Sequence, residues 1–85
     1  MPTKSVKVGS AVGLHARPAA IISEAAGDLD SEVTIGIPGD EAVDASSALL
    51  LMTLGAGNGD TVEVSGDNEA DVDTIAALVE KDLDA

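Results

Sequence analysis

Lys4–Gly27 reads KSVKVGSAVGLHARPAAIISEAAG, and the periodicity changes inside it. From Lys4 to Gly9 polar and apolar residues alternate through Val6 and Val8, the period-2 pattern of a half-buried strand. Ser10–His15 has no period and contains Gly13, so it reads as a loop. From Ala16 onward Ala19, Ala20, Ile22 or Ser23, and Ala26 recur at helical spacing, and Gly27 closes the run. Pro18 does not forbid this helix, because a first-turn N–H has no intrahelical partner to lose. The spacing therefore predicts a helix starting at Ala16 with His15 at its cap.

The rest of the chain continues the alternation of elements. EVTIGI (Glu32–Ile37) is a second strand, PGD (Pro38–Asp40) a turn, and EAVDA (Glu41–Ala45) a short third strand forming a hairpin with the second. SSALLLMTL (Ser46–Leu54) is a short apolar helix with Ser46 or Ser47 as its cap. GAGNG (Gly55–Gly59) ends it with glycine C-cap chemistry and an Asn-Gly turn. DTVEVSG (Asp60–Gly66) is a fourth strand, alternating through Val62 and Val64. NEADVDTIAALVEKDLDA (Asn68–Ala85) places Val72, Ile75, Ala76, Val79 and Leu83 on one helical face. Asn68 is its expected cap, with Asp71 in the first turn and Lys81 in the last, which suits the helix dipole. The order is βαββαβα. One buried and one solvated face per strand predicts an α+β open-faced two-layer sandwich: a four-stranded antiparallel sheet with three helices on one side.

Composition narrows the function. The 85 residues suit one small domain spanning 1–85. The hydrophobic fraction is 45%, enough for a core, but the chain has no Phe, Tyr or Trp. Stability must rest on tight aliphatic packing and is expected to be modest. With no cysteine, a disulfide scaffold and a thiolate metal site are excluded. A net charge of −12 argues against nucleic-acid binding, and the lack of aromatics removes any base-stacking platform. The acidity serves solubility or adaptation to high salt. No apolar run approaches the roughly 20 residues that span a bilayer, and the N-terminus lacks a signal-peptide pattern. A cytoplasmic protein without membrane insertion is expected. The glycines of GAGNGD (Gly55–Asp60) lack the Lys-Ser/Thr of a P-loop and precede a strand. No acid spacing matches an EF-hand, so neither metal nor cofactor is expected.

The chemistry concentrates at Gly13–Pro18. First-turn N–H groups and the helix dipole together form an anion site. His15, the only histidine, stands beside those donors. Arg17 adds a permanently charged planar fork suited to phosphoryl oxygens. Gly13 allows an unusual backbone and close approach. Phosphoryl transfer needs a neutral imidazole nitrogen as its nucleophile, which is the chemistry a histidine at this position can supply. A lone histidine in a loop is more often an ordinary polar surface residue. Here each neighbour has a separate physical reason to be present.

VGLHARPAA (Val12–Ala20) resembles the active-site signature of HPr, the histidine-containing phosphocarrier of the bacterial phosphotransferase system. The likeness extends over essentially the whole chain, including SSALLLMTLGAGNGD (Ser46–Asp60) and the final amphipathic helix. It implies the open-faced sandwich and a carrier without catalytic turnover of its own. It further implies that His15 accepts a phosphoryl group on Nδ1 from enzyme I and passes it to sugar-specific IIA proteins. By the same likeness Ala16 and Arg17 help hold that group. The likeness also implies a regulatory serine at the start of the second helix. Matching MTLG (Met52–Gly55) puts it on Ser47, the target of a serine kinase where one exists. Leu49 and Leu50 would be a partner-docking patch, since ALLLM is apolar all round and a short helix cannot bury every side. A monomer is expected.

Two departures stand out. Where the family usually offers lysines near its active centre, the first helix here carries Glu24 and Asp28, with Arg17 its only base. Val12 replaces a residue that is commonly polar in the family. Two competing readings remain: a regulatory phosphoprotein of the same fold that binds transcription factors or kinases, and a small interaction domain with a coincidental motif.

Overall fold

The computed structural model describes residues 2–11, 13–81 and 83, so Val12 lies outside the described residues. Strands β1 (Thr3–Lys7), β2 (Val33–Gly36), β3 (Val43–Asp44) and β4 (Thr61–Gly66) form one sheet in the order β1-β4-β2-β3. Every neighbouring pair is antiparallel, with Val6 opposite Val62 and Ile35 opposite Val64. Helices α1 (Ala16–Gly27), α2 (Ala48–Thr53) and α3 (Glu69–Glu80) complete the βαββαβα order.

The period-2 pattern divides the sheet cleanly. Val6, Val33, Ile35, Val62 and Val64 are buried against the helices, while Ser5, Lys7 and Thr61 are exposed on the other face. α1 buries Pro18, Ala19, Ile22 and Ala26, and α3 buries Val72, Ile75, Ala76 and Val79. α2 sends Leu51 inward. Small residues such as Ala19 and Ala76, both fully buried, fill the space that an aromatic core would occupy. The open-faced sandwich expected from the alternation of elements is the observed fold.

The boundaries shift where tertiary contacts intervene. β1 ends at Lys7, yet Val8 stays buried because its N–H donates to Asp60 O and its carbonyl accepts from Gly59 N–H, both at 2.9 Å. β3 is only two residues long. Glu41 and Ala42 are exposed, and the Asp44 carboxylate turns to accept from Ser46 N–H at 2.9 Å. Ala20 is exposed instead of facing the core, and Asp28 lies beyond α1 as its C-cap.

α3 departs most from the expected span. It ends at Glu80; Lys81 is extended (φ −77, ψ 150), outside the last turn, and half-buried Leu83 lies in a turn instead of on the helical face. The Gly9–Ser10 segment ends this helix. Gly9 N–H donates to Val79 O at 2.9 Å. The buried Ser10 hydroxyl donates to Lys81 O at 3.4 Å and accepts from Leu83 N–H at 3.2 Å. Any side chain at Gly9 would collide with the Glu80 carbonyl. Helix-terminal groups that would otherwise lack partners are thus satisfied by the segment leading toward His15.

Candidate functional site

His15 is held through its backbone, and its side chain is exposed. Leu14, buried at the edge of the core, donates its N–H to Ala56 O at 2.9 Å. Gly13 N–H donates to Ser10 O, and His15 N–H donates to Gly13 O, each at 2.9 Å. Gly13 has φ +75, and a Cβ there would strike Ala56 O and approach Gly57 Cα to 2.7 Å. Only glycine permits both the left-handed backbone and the contact between the two loops. The His15 side chain is exposed, next to a cleft of about 250 Å³ lined by Leu14, His15, Met52, Gly55, Ala56 and Gly57.

His15 is the N-cap of α1 by position (φ −86, ψ −173), but its side chain makes no capping hydrogen bond. Its carbonyl accepts the first helical bond, from Ala19 N–H at 2.9 Å. Pro18 has no N–H. The N–H groups of Ala16 and Arg17 have no acceptor among the described residues. No acidic residue occupies the first turn. Arg17 is exposed, and among the described residues the only ion pair joins Lys4 to Asp73 at 3.8 Å, leaving the guanidinium unpaired. One helix start thus carries an exposed imidazole, an exposed guanidinium with no ion-pair partner among the described residues, and two amides with no acceptor among them. That set can take up a phosphoryl group and stabilise its charge.

The second group of candidate residues lies on α2. Ser47, not Ser46, is the N-cap, and its Oγ accepts from Leu50 N–H at 3.3 Å. Ser46 is engaged just before it: its Oγ donates to Asp44 Oδ1 at 2.7 Å. That hydroxyl, together with the Ser46 N–H, holds the Asp44 carboxyl below the usual carboxylate range. Leu49 is 69% exposed, Leu50 40% and Met52 38%, whereas Leu51 between them is fully buried. One turn of helix therefore anchors by a single leucine and offers its other apolar side chains outward. Met52 also lines the His15 cleft, which makes the cleft continuous with this patch.

One contributor was not legible as such. Asn58 reads from sequence as half of an Asn-Gly turn, yet its amide reaches back to the carbonyls of Gly9 and Ser10, at 3.3 and 3.2 Å. No local pattern signals a contact across nearly fifty residues. Among the described residues no cluster of three His, Cys, Asp or Glu side chains could hold a metal ion, and no helix is long and apolar enough to cross a membrane.

The fold is an open-faced sandwich whose first helix begins at an exposed histidine. Comparison with known proteins is more specific. Residues 2–81 match the family model described as PTS HPr component phosphorylation site. The phosphocarrier protein HPr of Pseudomonas putida is 38% identical over 80 residues, covering 94% of this chain and 89% of that protein. The phosphocarrier protein NPr of Shewanella violacea is 36% identical over 84 residues, covering 95% of this chain and 91% of its own. The crystal structure of HPr-C-His from Thermoanaerobacter tengcongensis superposes with a TM-score of 0.88 at 26% identity, covering 100% of this chain and 98% of that one. The chain belongs to the HPr family of phosphotransferase-system phosphocarriers.

Proposed function

We propose that this phosphocarrier relays a phosphoryl group from phospho-enzyme I to sugar-specific IIA proteins through a phosphohistidine on His15 Nδ1. The Nδ1 lone pair attacks phosphorus as the P–N bond to the enzyme I histidine breaks, and that bonding pair returns to the departing imidazole nitrogen. The second transfer repeats the exchange, with His15 as the leaving imidazole. No cofactor or co-reactant enters. The observation that carries this reading is the exposed His15 ring at an α1 start where the Ala16 and Arg17 amides have no acceptor among the described residues. These amides and the Arg17 fork stabilise the phosphoryl oxygens while the ring holds phosphorus.

Partner docking falls to Leu49 and Leu50. There is no Lys or Arg between residues 18 and 80, so long-range steering toward an acidic partner is weak. Exposed apolar area is then the main source of affinity. Ser47 supports a further layer of control. A kinase that phosphorylated it would place roughly −1.5 to −2 charges on the N-cap, next to the exposed Leu50, and so weaken docking. The carrier works as a cytoplasmic monomer, with the whole chain as one domain.

Incubation with phosphoenolpyruvate and the cognate enzyme I is expected to give an acid-labile adduct, absent in His15→Ala. An unmodified wild-type mass after that incubation overturns the proposal.

A further inference from the structure

We propose that Asn58 is a positioning residue for His15, an inference that rests on reading His15 as the phosphoryl acceptor. The Asn58 Nδ2 lies 3.5 Å from Val8 O, 3.3 Å from Gly9 O and 3.2 Å from Ser10 O, three consecutive carbonyls. An amide nitrogen offers two donors, so it spans this row of acceptors as a fork. Val8 O already accepts from Gly59 N–H at 2.9 Å. Asn58 serves chiefly the next two.

From there the connection to His15 is short. Ser10 O accepts from Asn58 and also from Gly13 N–H, and Gly13 O accepts from His15 N–H. Three hydrogen bonds in series thus run from the tip of the Leu54–Asp60 loop to the reacting residue. The opposite side of the same segment is fixed by the end of α3, through Gly9 N–H and the Ser10 hydroxyl. Leu14 N–H on Ala56 O adds a third restraint. Asn58 itself is exposed and packs nothing into the core, so its contribution is to geometry more than to folding. The bare amides of α1 are useful only if the imidazole stands at the right place before them.

Donor and acceptor chemistry supplies the test. Asn58→Asp keeps the shape but turns only acceptors toward three carbonyls, whereas the ammonium of Asn58→Lys restores up to three donors. Single-turnover transfer from phospho-enzyme I would be measured for wild type, Asn58→Asp and Asn58→Lys, with thermal unfolding of each. The expected result is a fall of about tenfold in the saturating rate for Asn58→Asp, since a misplacement near 1 Å can cost about a hundredfold. The half-saturating carrier concentration stays within about twofold, because the docking patch is untouched. Asn58→Lys regains the wild-type rate within about twofold. An Asn58→Asp rate equal to wild type overturns the proposal. So does a rate loss that tracks a lower Tm and is not regained in Asn58→Lys. If the wild-type chain takes up no phosphate, the functional reading fails by itself. The amide resonances of Gly13, Leu14 and His15 in Asn58→Asp then decide the positioning role: displaced resonances uphold it, and coincident spectra overturn it.

Discussion

Two helix starts in this molecule solve the same problem in opposite ways. At α2 the third amide of the first turn is served from within the chain. Ser47 Oγ accepts from Leu50 N–H, and Asp44 and Ser46 close the approach. α3 follows the same rule, with Asn68 Oδ1 accepting from Asp71 N–H at 3.2 Å and Glu69 and Asp71 in the first turn. At α1 the equivalent third position is Pro18, which has no N–H, and the N-cap is a histidine whose side chain makes no capping hydrogen bond, with no acid in the first turn. A good cap stabilises a protein by about 1 kcal/mol, and α1 forgoes that. Under the proposed function, the difference separates a helix start built for stability from one left open for a transient anion.

That contrast can be attacked from several directions. The largest effect is expected at Gly13, whose φ of +75 and contact with Ala56 no other residue tolerates. Gly13→Ala should lower stability by about 1–3 kcal/mol and slow phosphoryl acceptance as well, because the displaced loop carries His15. Denaturant unfolding alongside transfer kinetics would measure both. Arg17→Lys comes next. Exchanging a planar fork for a point charge should slow transfer by about tenfold, one hydrogen bond's worth of roughly 1.4 kcal/mol, with Tm unchanged. Equal rates would make Arg17 a spectator and leave the bare amides alone with the charge.

The capped helices supply the converse. Ser47→Ala and Asn68→Ala should each cost about 1 kcal/mol of stability while His15 accepts phosphate at the wild-type rate. The smallest effect concerns Asp44, whose folded-state pKa lies below its unfolded value because Ser46 donates to the carboxylate. Its contribution is fully present above the unfolded value of about 3.9 and is lost as pH falls through the lower folded value. Comparing acid unfolding of the wild type with Ser46→Ala should reveal a slightly weaker dependence in the variant.

Much of this was legible in the sequence, for identifiable reasons. Period-2 alternation at Val6, Val62 and Val64 and helical spacing at Val72, Ile75, Ala76 and Val79 report burial directly, so sheet and helices could be read from them. His15 and Arg17 were visible because the helix start between them is written locally, in Pro18 and the alanines that follow. What escaped was set by distant contacts. α3 stops at Glu80 because Gly9 and Ser10 satisfy its end, and nothing near Lys81 announces that. Ser46 and Ser47 were equivalent caps by type; Asp44 engages Ser46 and leaves Ser47 for Leu50 N–H. Asn58 looked like half of a turn because its partners lie in another loop. The outward display of Leu49 against the burial of Leu51 was readable only from the brevity of α2.

The central claim is that the α1 start is kept uncapped so that its amides can receive phosphate oxygens. Amide proton shifts recorded before and after phosphorylation of His15 test it most directly. Phosphorylation should move the Ala16 and Arg17 amide protons strongly downfield, while those of Leu50 and Asp71, already bonded to their caps, stay in place. A phosphorylated protein in which Ala16 and Arg17 do not move, or move no more than Leu50 and Asp71, would contradict it.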